Sequence, residues 1–215
     1  MSSNKRLAKI AEFVQTRLNR MAQEYPSEQH DPIYRWEHTQ RVANYGRVLA
    51  EAEGADPEIV IAACLLHDVA HFECDDNYKD HGRRGAQIAR PLLKELGYTP
   101  QQIDNICFSV ATHVDGEADF EHEKTIEARC VSDADNIDRF GAYRILQWCV
   151  PEMNEFPRLI ENLTQRIDRL QDYRSRALLL ETVTGDRIFK QHLDRQIEFF
   201  QALIREYEIT SLPQP

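Results

Sequence analysis

The chain has no C-x-x-C pair: its five cysteines, Cys64, Cys74, Cys107, Cys130 and Cys149, are scattered and odd in number. That pattern argues against a zinc-thiolate site or a disulfide framework and suits buried thiols in a reducing compartment. A long apolar run is missing too. The longest, Ile59 to Val69, is too short to span a bilayer, and the segment after Met1-Ser2-Ser3-Asn4-Lys5-Arg6 is amphipathic rather than uniformly apolar. No membrane association and a cytoplasmic location are therefore expected. Positive charge is scarce: 26 Lys and Arg against 36 Asp and Glu give a formal net charge of −10, which speaks against an extended nucleic-acid surface. A small anionic substrate stays open, because a divalent ion and a few arginines reverse the field locally. With only 8 Gly and 9 Pro, and no repeat or low-complexity tract, neither disorder nor a repeat architecture is indicated.

Sustained period-2 alternation is also absent, and what is present instead is helical spacing, so the expected fold class is all-α. Leu7, Ile10, Val14, Leu18 and Met21 mark a first helix before Pro26 and Pro32. A second is expected from about Arg35 to Glu53, and a third opens at Asp56-Pro57 and runs to about Ala70. Further helices are expected over about Gly82 to Leu96, Pro100 to His113, Thr125 to Ala134 and Asp138 to Val150. Phe72 to Asp80 and Asp115 to Glu123 read as acidic loops. The last third, about Arg158 to Tyr207, reads as two or three amphipathic helices that clad the core or form the face of a homo-oligomer. Residues 1–215 are taken as one domain. His30, His122 and His192 lie in polar surroundings and are expected to be exposed; Trp36, Tyr45, Phe108, Phe140, Tyr143 and Trp148 are expected in the core.

The chemistry concentrates around Leu65-Leu66-His67-Asp68-Val69-Ala70-His71, where a His-Asp pair closes an apolar helical run. An unpaired carboxylate there would lose several kcal/mol of hydration, so it must be neutralised, hydrogen-bonded or bound to a cation. His38 lies in line with Val42, Tyr45 and Leu49, which aims it inward, while His67 and His71 share a face. Downstream come His81, His113 and the run Asp133-Ala134-Asp135-Asn136-Ile137-Asp138. Mixed imidazole and carboxylate donors suit Mn, Fe, Co, Ni or Zn, with Mg possible and an all-oxygen shell more typical of Mg or Ca.

The order His38, then His67-Asp68, then Asp135 resembles the HD-domain metal-dependent phosphohydrolase superfamily. The resemblance covers about residues 30–150 as the HD core, with 151–215 as a C-terminal helical extension. It implies an HD-domain helical bundle and a metal held by His38, His67, Asp68 and Asp135, with Asp133 the competing choice for the last ligand. His81-Gly82-Arg83-Arg84 and Thr112-His113 resemble the segments that supply extra histidines to members with two metals, so one ion or two remain open. His81 as a loop histidine and His113 as a helix cap are the alternatives. The implied activity is hydrolysis of a nucleotide or related small phosphoester by a metal-activated water. Asp68 and His71 are the candidate catalytic groups, His71 as a proton shuttle or else a capping or core histidine. Lys79, Arg83, Arg84 and Arg139 are candidate phosphate contacts. A di-iron oxygenase of the same fold and a non-catalytic metal-stabilised sensor or scaffold are the competing functions.

Overall fold

Three helices begin where the sequence offers both a capping side chain and a proline. Asp31 accepts from the amides of Ile33 and Tyr34 ahead of α2, Pro32–Glu53, and Asp56 accepts from Glu58 and Ile59 ahead of α3, Pro57–Leu66. Thr99 and Gln102 form a reciprocal capping box at α5, Pro100–Thr112. Proline at the first helical position loses no hydrogen bond, because that amide has no partner within the helix. α2 stops at Gly54, whose φ of 74° is costly for any residue with a Cβ.

The protein is described here by a computed structural model that covers residues 1–27, 30–74, 77 and 79–210, the side chain of Glu152 excepted. Asp75, Asp76 and Tyr78 of the expected acidic loop lie outside the described residues. The other helices are α1, Ser3–Glu24; α4, Asp80–Glu95; α6, Ile126–Arg139; α7, Ala142–Cys149; α8, Phe156–Ser175; and α9, Val183–Glu208. No strand occurs among the described residues, so the all-α expectation holds. The chain divides into two compact units, Met1–Asp138 and Arg139–Pro215.

In the first unit α3 is the central element. It buries Ile59, Val60, Ala62, Ala63, Cys64, Leu65 and Leu66, so it is apolar all round and is packed on several sides, by α1, α2 and α5. Two glycines let backbones close up beside it. A Cβ at Gly46 would lie 2.6 Å from Cys64 Sγ, which sets the approach of α2 to α3. A Cβ at Gly82 would lie 2.6 Å from the Ala111 carbonyl oxygen, which sets the approach of α4 to α5. In the second unit α7 and α8 pack on α9, with Leu159, Leu163, Ile167 and Leu170 of α8 buried at helical spacing.

Several expectations need correction. α3 ends at Leu66 rather than near Ala70, because the chain tightens: Val69 N donates to Leu66 O, and His71 N to Asp68 O, three residues back instead of four. α4 starts at Asp80, which places His81 in its first turn rather than in a loop. α6 continues to Arg139, through Asp135 and Asp138, where a break was expected after Ala134. His192 is buried on α9 in line with Phe189 and Gln196; His30, against Phe72, and His122, against Phe108, are half-buried. Tyr143 is 46% exposed instead of buried. The close approach at Gly82 predicts that Gly82→Ala, which drives a methyl into a backbone carbonyl, costs about 1–3 kcal/mol. Thermal unfolding should show the matching fall in Tm.

Candidate metal centre

Five segments bring one ionisable cluster together inside the first unit. α2 supplies His38, the turn after α3 supplies His67 and Asp68, the first turn of α4 supplies His81, the residue closing α5 is His113, and α6 supplies Asp135. All six are buried. The early end of α3 makes this possible: two adjacent residues leave the helix together and turn toward one centre.

Asp68 is shared between two halves of the cluster. Its Oδ2 lies 3.2 Å from His67 Nε2 and 3.5 Å from His38 Nε2; its Oδ1 lies 3.1 Å from His81 Nε2 and 3.8 Å from His113 Nε2. Asp135 Oδ1 joins the first half, 3.3 Å from His38 Nε2. Of the two carboxylates left open by the sequence, Asp135 is thus the one that meets His38.

The hydrogen bonds behind the histidines fix which nitrogen faces inward. His67 Nδ1 donates to Cys64 O and His113 Nδ1 to Val110 O, each at 2.7 Å, and His38 Nδ1 donates to Asp138 Oδ2 at 2.7 Å. A carbonyl only accepts, so Nδ1 carries the proton and Nε2 is left to the centre. There His38 and His67 nitrogens meet at 3.2 Å, and those of His81 and His113 at 3.1 Å. Nitrogens that close need a proton between them or a shared cation.

The electrostatics agree. Burial pushes the Asp68 carboxyl up, but His67, Arg35 and His71 outweigh it and hold the group well below the usual carboxylate range. Asp135 and Asp138 are also lowered: burial pushes each up, but the hydrogen bond from His38 and the neighbouring positive charges together outweigh it. His38 is raised to about 9: burial works against its charge, but Asp135, Asp138 and Asp68 win. A proton on His38 therefore supplies part of the positive charge the site calls for. Inward-facing nitrogens, ionised carboxylates and fixed tautomers fit a divalent transition metal, and His38, His67 and Asp68 offer one atom each within 4.8 Å of one another.

Two residues at the site escaped the sequence reading, and a third, Asp138, stood in the carboxylate run without a role. Arg35 Nη1 donates to Asp68 Oδ2 at 2.5 Å and its Nη2 contacts His71 Nε2 at 2.7 Å. Arg41 grips Asp138 at 2.7 and 3.2 Å, and Asp138 in turn holds His38. Their signal was the helical period: Arg35 and Arg41 stand three residues either side of His38, and Asp138 three after Asp135. Of the expected phosphate contacts, Arg83 and Arg84 line a cavity of about 460 Å³ together with Glu73, Cys74, Asp80 and Gln87. Arg83 is held there by Asp80 and Asp115. Lys79 is exposed just before α4, and Arg139 is exposed at the end of α6. Because Asp138 orients His38, Asp138→Asn is expected to weaken metal affinity about 10–100-fold with the helical circular-dichroism signal unchanged. Competition against a metal-binding dye measures it.

Residues 35–139 match the HD domain family. YueE of Bacillus subtilis (strain 168), named provisionally as a phosphohydrolase, is 29% identical over 128 residues, 54% of this chain and 72% of YueE. Among solved structures, an HD-superfamily hydrolase from Bacillus thuringiensis aligns over 97% of this chain and 100% of its own, with TM-score 0.68 at 19% identity. A predicted HD-superfamily hydrolase from an uncultured Thermotogales bacterium aligns over 90% and 91%, with TM-score 0.62 at 21% identity. Bacillus subtilis YpgQ, solved with ADP, aligns over 97% and 96%, with TM-score 0.59 at 22% identity. At these identities the structures speak for the fold. The matched segment carries all six clustered ligand candidates, and over residues 35–139 the chain contains an HD domain similar to that of known hydrolases.

Proposed function

We propose that this chain is a metal-dependent phosphohydrolase acting on a nucleotide or related small phosphoester. The observation that carries the proposal is the buried Asp68 carboxylate, one oxygen turned to His38 and His67 and the other to His81 and His113. In this reading His38, His67, Asp68 and Asp135 hold one divalent ion, and His81 and His113 hold a second that shares Asp68. Mn, Fe, Co, Ni or Zn suits the imidazole-rich set better than Mg. When bound, such an ion brings the pKa of a water toward about 7 and offsets phosphate charge.

The remaining roles follow from what the side chains touch. Cys64 O, Val110 O and Asp138 keep three Nδ1 protons outward and so keep Nε2 available. Arg35 neutralises Asp68 and is placed to turn to a phosphoryl oxygen. His71, whose pKa burial depresses despite Asp68, has Nε2 on Arg35 and Nδ1 3.6 Å from Asp68 Oδ1. Release of Arg35 to a substrate would free His71 to relay a proton toward the leaving oxygen. Arg83 and Arg84 line the cavity and serve the phosphate tail. A nucleotide is favoured as substrate because YpgQ was solved with ADP.

One second reading has a specific observation behind it. The same six residues around a shared carboxylate also satisfy a di-iron oxygenase, which would consume oxygen when loaded with iron. Hydrolysis predicts instead that manganese-loaded protein releases phosphate or pyrophosphate from a panel of nucleoside mono-, di- and triphosphates without oxygen uptake. Asp68→Ala is expected to abolish that release while circular dichroism stays helical; retained turnover would refute the assignment. Arg84→Gln, on an exposed side chain, is expected to raise KM several-fold, with kcat changed by less than about twofold, in steady-state assays.

A further inference from the structure

The second unit carries a group of side chains that the proposed hydrolysis does not use. Arg166 lies on the inner face of α8, among Leu159, Leu163 and Leu170, where helical spacing calls for an apolar residue, and it is only 8% exposed. Its guanidinium carbon is 4.8 Å from the centre of the Trp148 ring and 5.3 Å from that of Phe140. Among the described residues no carboxylate pairs with it, and its Nε has no acceptor. The indole Nε1 of Trp148 is likewise buried without an acceptor. Two donors on touching groups are thus unsatisfied, in a chain where acidic residues outnumber basic ones 36 to 26.

The neighbours make the charge worse. Burial, then Arg169, then Arg144 depress the Arg166 pKa. Arg169 is exposed on α8; Arg144 is exposed on α7 and donates only to Gln147 among the described residues. Two aromatic faces compensate one guanidinium in part. They do nothing for the added charge of Arg169, one helical turn from Arg166 on α8, and of Arg144, one turn from Trp148 on α7, nor for the two orphan donors. A single anion with several acceptor oxygens would meet all of these demands at once. Phosphate fits better than a carboxylate: it offers more oxygens and more charge, and each guanidinium can take two oxygens side by side.

We propose that Arg144, Arg166 and Arg169, with the indole N–H of Trp148, form a phosphate-binding site in the second unit, separate from the metal centre. The occupant is a phosphate group, carried either as free inorganic phosphate or on a phosphorylated small molecule. Nothing in this proposal depends on the hydrolase reading.

Trp148 makes the test direct, because the chain has only two tryptophans. In full-length Trp36→Phe protein Trp148 is the sole indole, and its emission is followed while inorganic phosphate, or separately adenosine monophosphate, is added at constant ionic strength. A saturable change is expected. Its midpoint should rise at least about tenfold in Arg166→Gln and in Arg169→Gln, each of which removes a charged donor. Arg169 is exposed, so its variant keeps the test valid if Arg166→Gln does not fold. The titration should be unchanged when Asp68→Ala is added. A lower midpoint for phosphate identifies the free ion, and a lower one for the nucleotide a phosphomonoester. No saturable change with either probe, an unshifted midpoint in Arg169→Gln, or loss of the signal in Asp68→Ala would overturn the proposal.

Discussion

One buried carboxylate organises the first unit. Asp68 sits with five imidazoles and a guanidinium around it, and these partners keep it ionised. Isolated at that depth, it would protonate or destabilise the fold by several kcal/mol. The surrounding architecture can be read as the means of delivering those partners. α3 is apolar on every side so that its end can be buried, and it stops early so that His67 and Asp68 leave it together. The contact at Gly46 brings α2, and with it His38, against α3; the contact at Gly82 brings His81 and His113 side by side.

Much of this was legible in the sequence, for reasons that differ by residue. His38 occupies an apolar stripe, and His67-Asp68 ends an apolar run; a polar group placed where a leucine would serve is a strong signal. His81 was a ligand candidate, yet its place in a helix was not visible, because α4 begins at Asp80 without a side-chain cap. The choice between Asp133 and Asp135 needed the rotational phase of α6, and the expected break after Ala134 hid that phase. The helix continues because its polar residues, which look like a loop, are satisfied internally: Asp138 by Arg41 and His38, Asp135 by His38.

What was not legible depends on partners far away in sequence. Arg35 and Arg41 share the His38 face, but nothing local distinguishes them from the solvated arginines common on helices. Their function is set by Asp68 and Asp138, which lie 33 and 97 residues away. His192 illustrates the converse. Its neighbours are polar, yet α9 aligns it with Phe189 and Gln196, so periodicity decides its burial and local composition misleads. Charge behaves the same way: a chain with net charge −10 still sets Arg83 and Arg84 along one cavity and Arg35 against Asp68. Local field, not net charge, is what an anionic ligand meets.

The central claim is that Asp68 joins two cation sites, and stoichiometry tests it most directly. Elemental mass spectrometry on protein purified without chelator, or reloaded with manganese, is expected to give close to two ions per chain, falling to about one in a His81→Ala, His113→Ala variant. A ratio that stays near one in the loaded unaltered protein, or near zero with no divalent metal restoring it, would contradict the account.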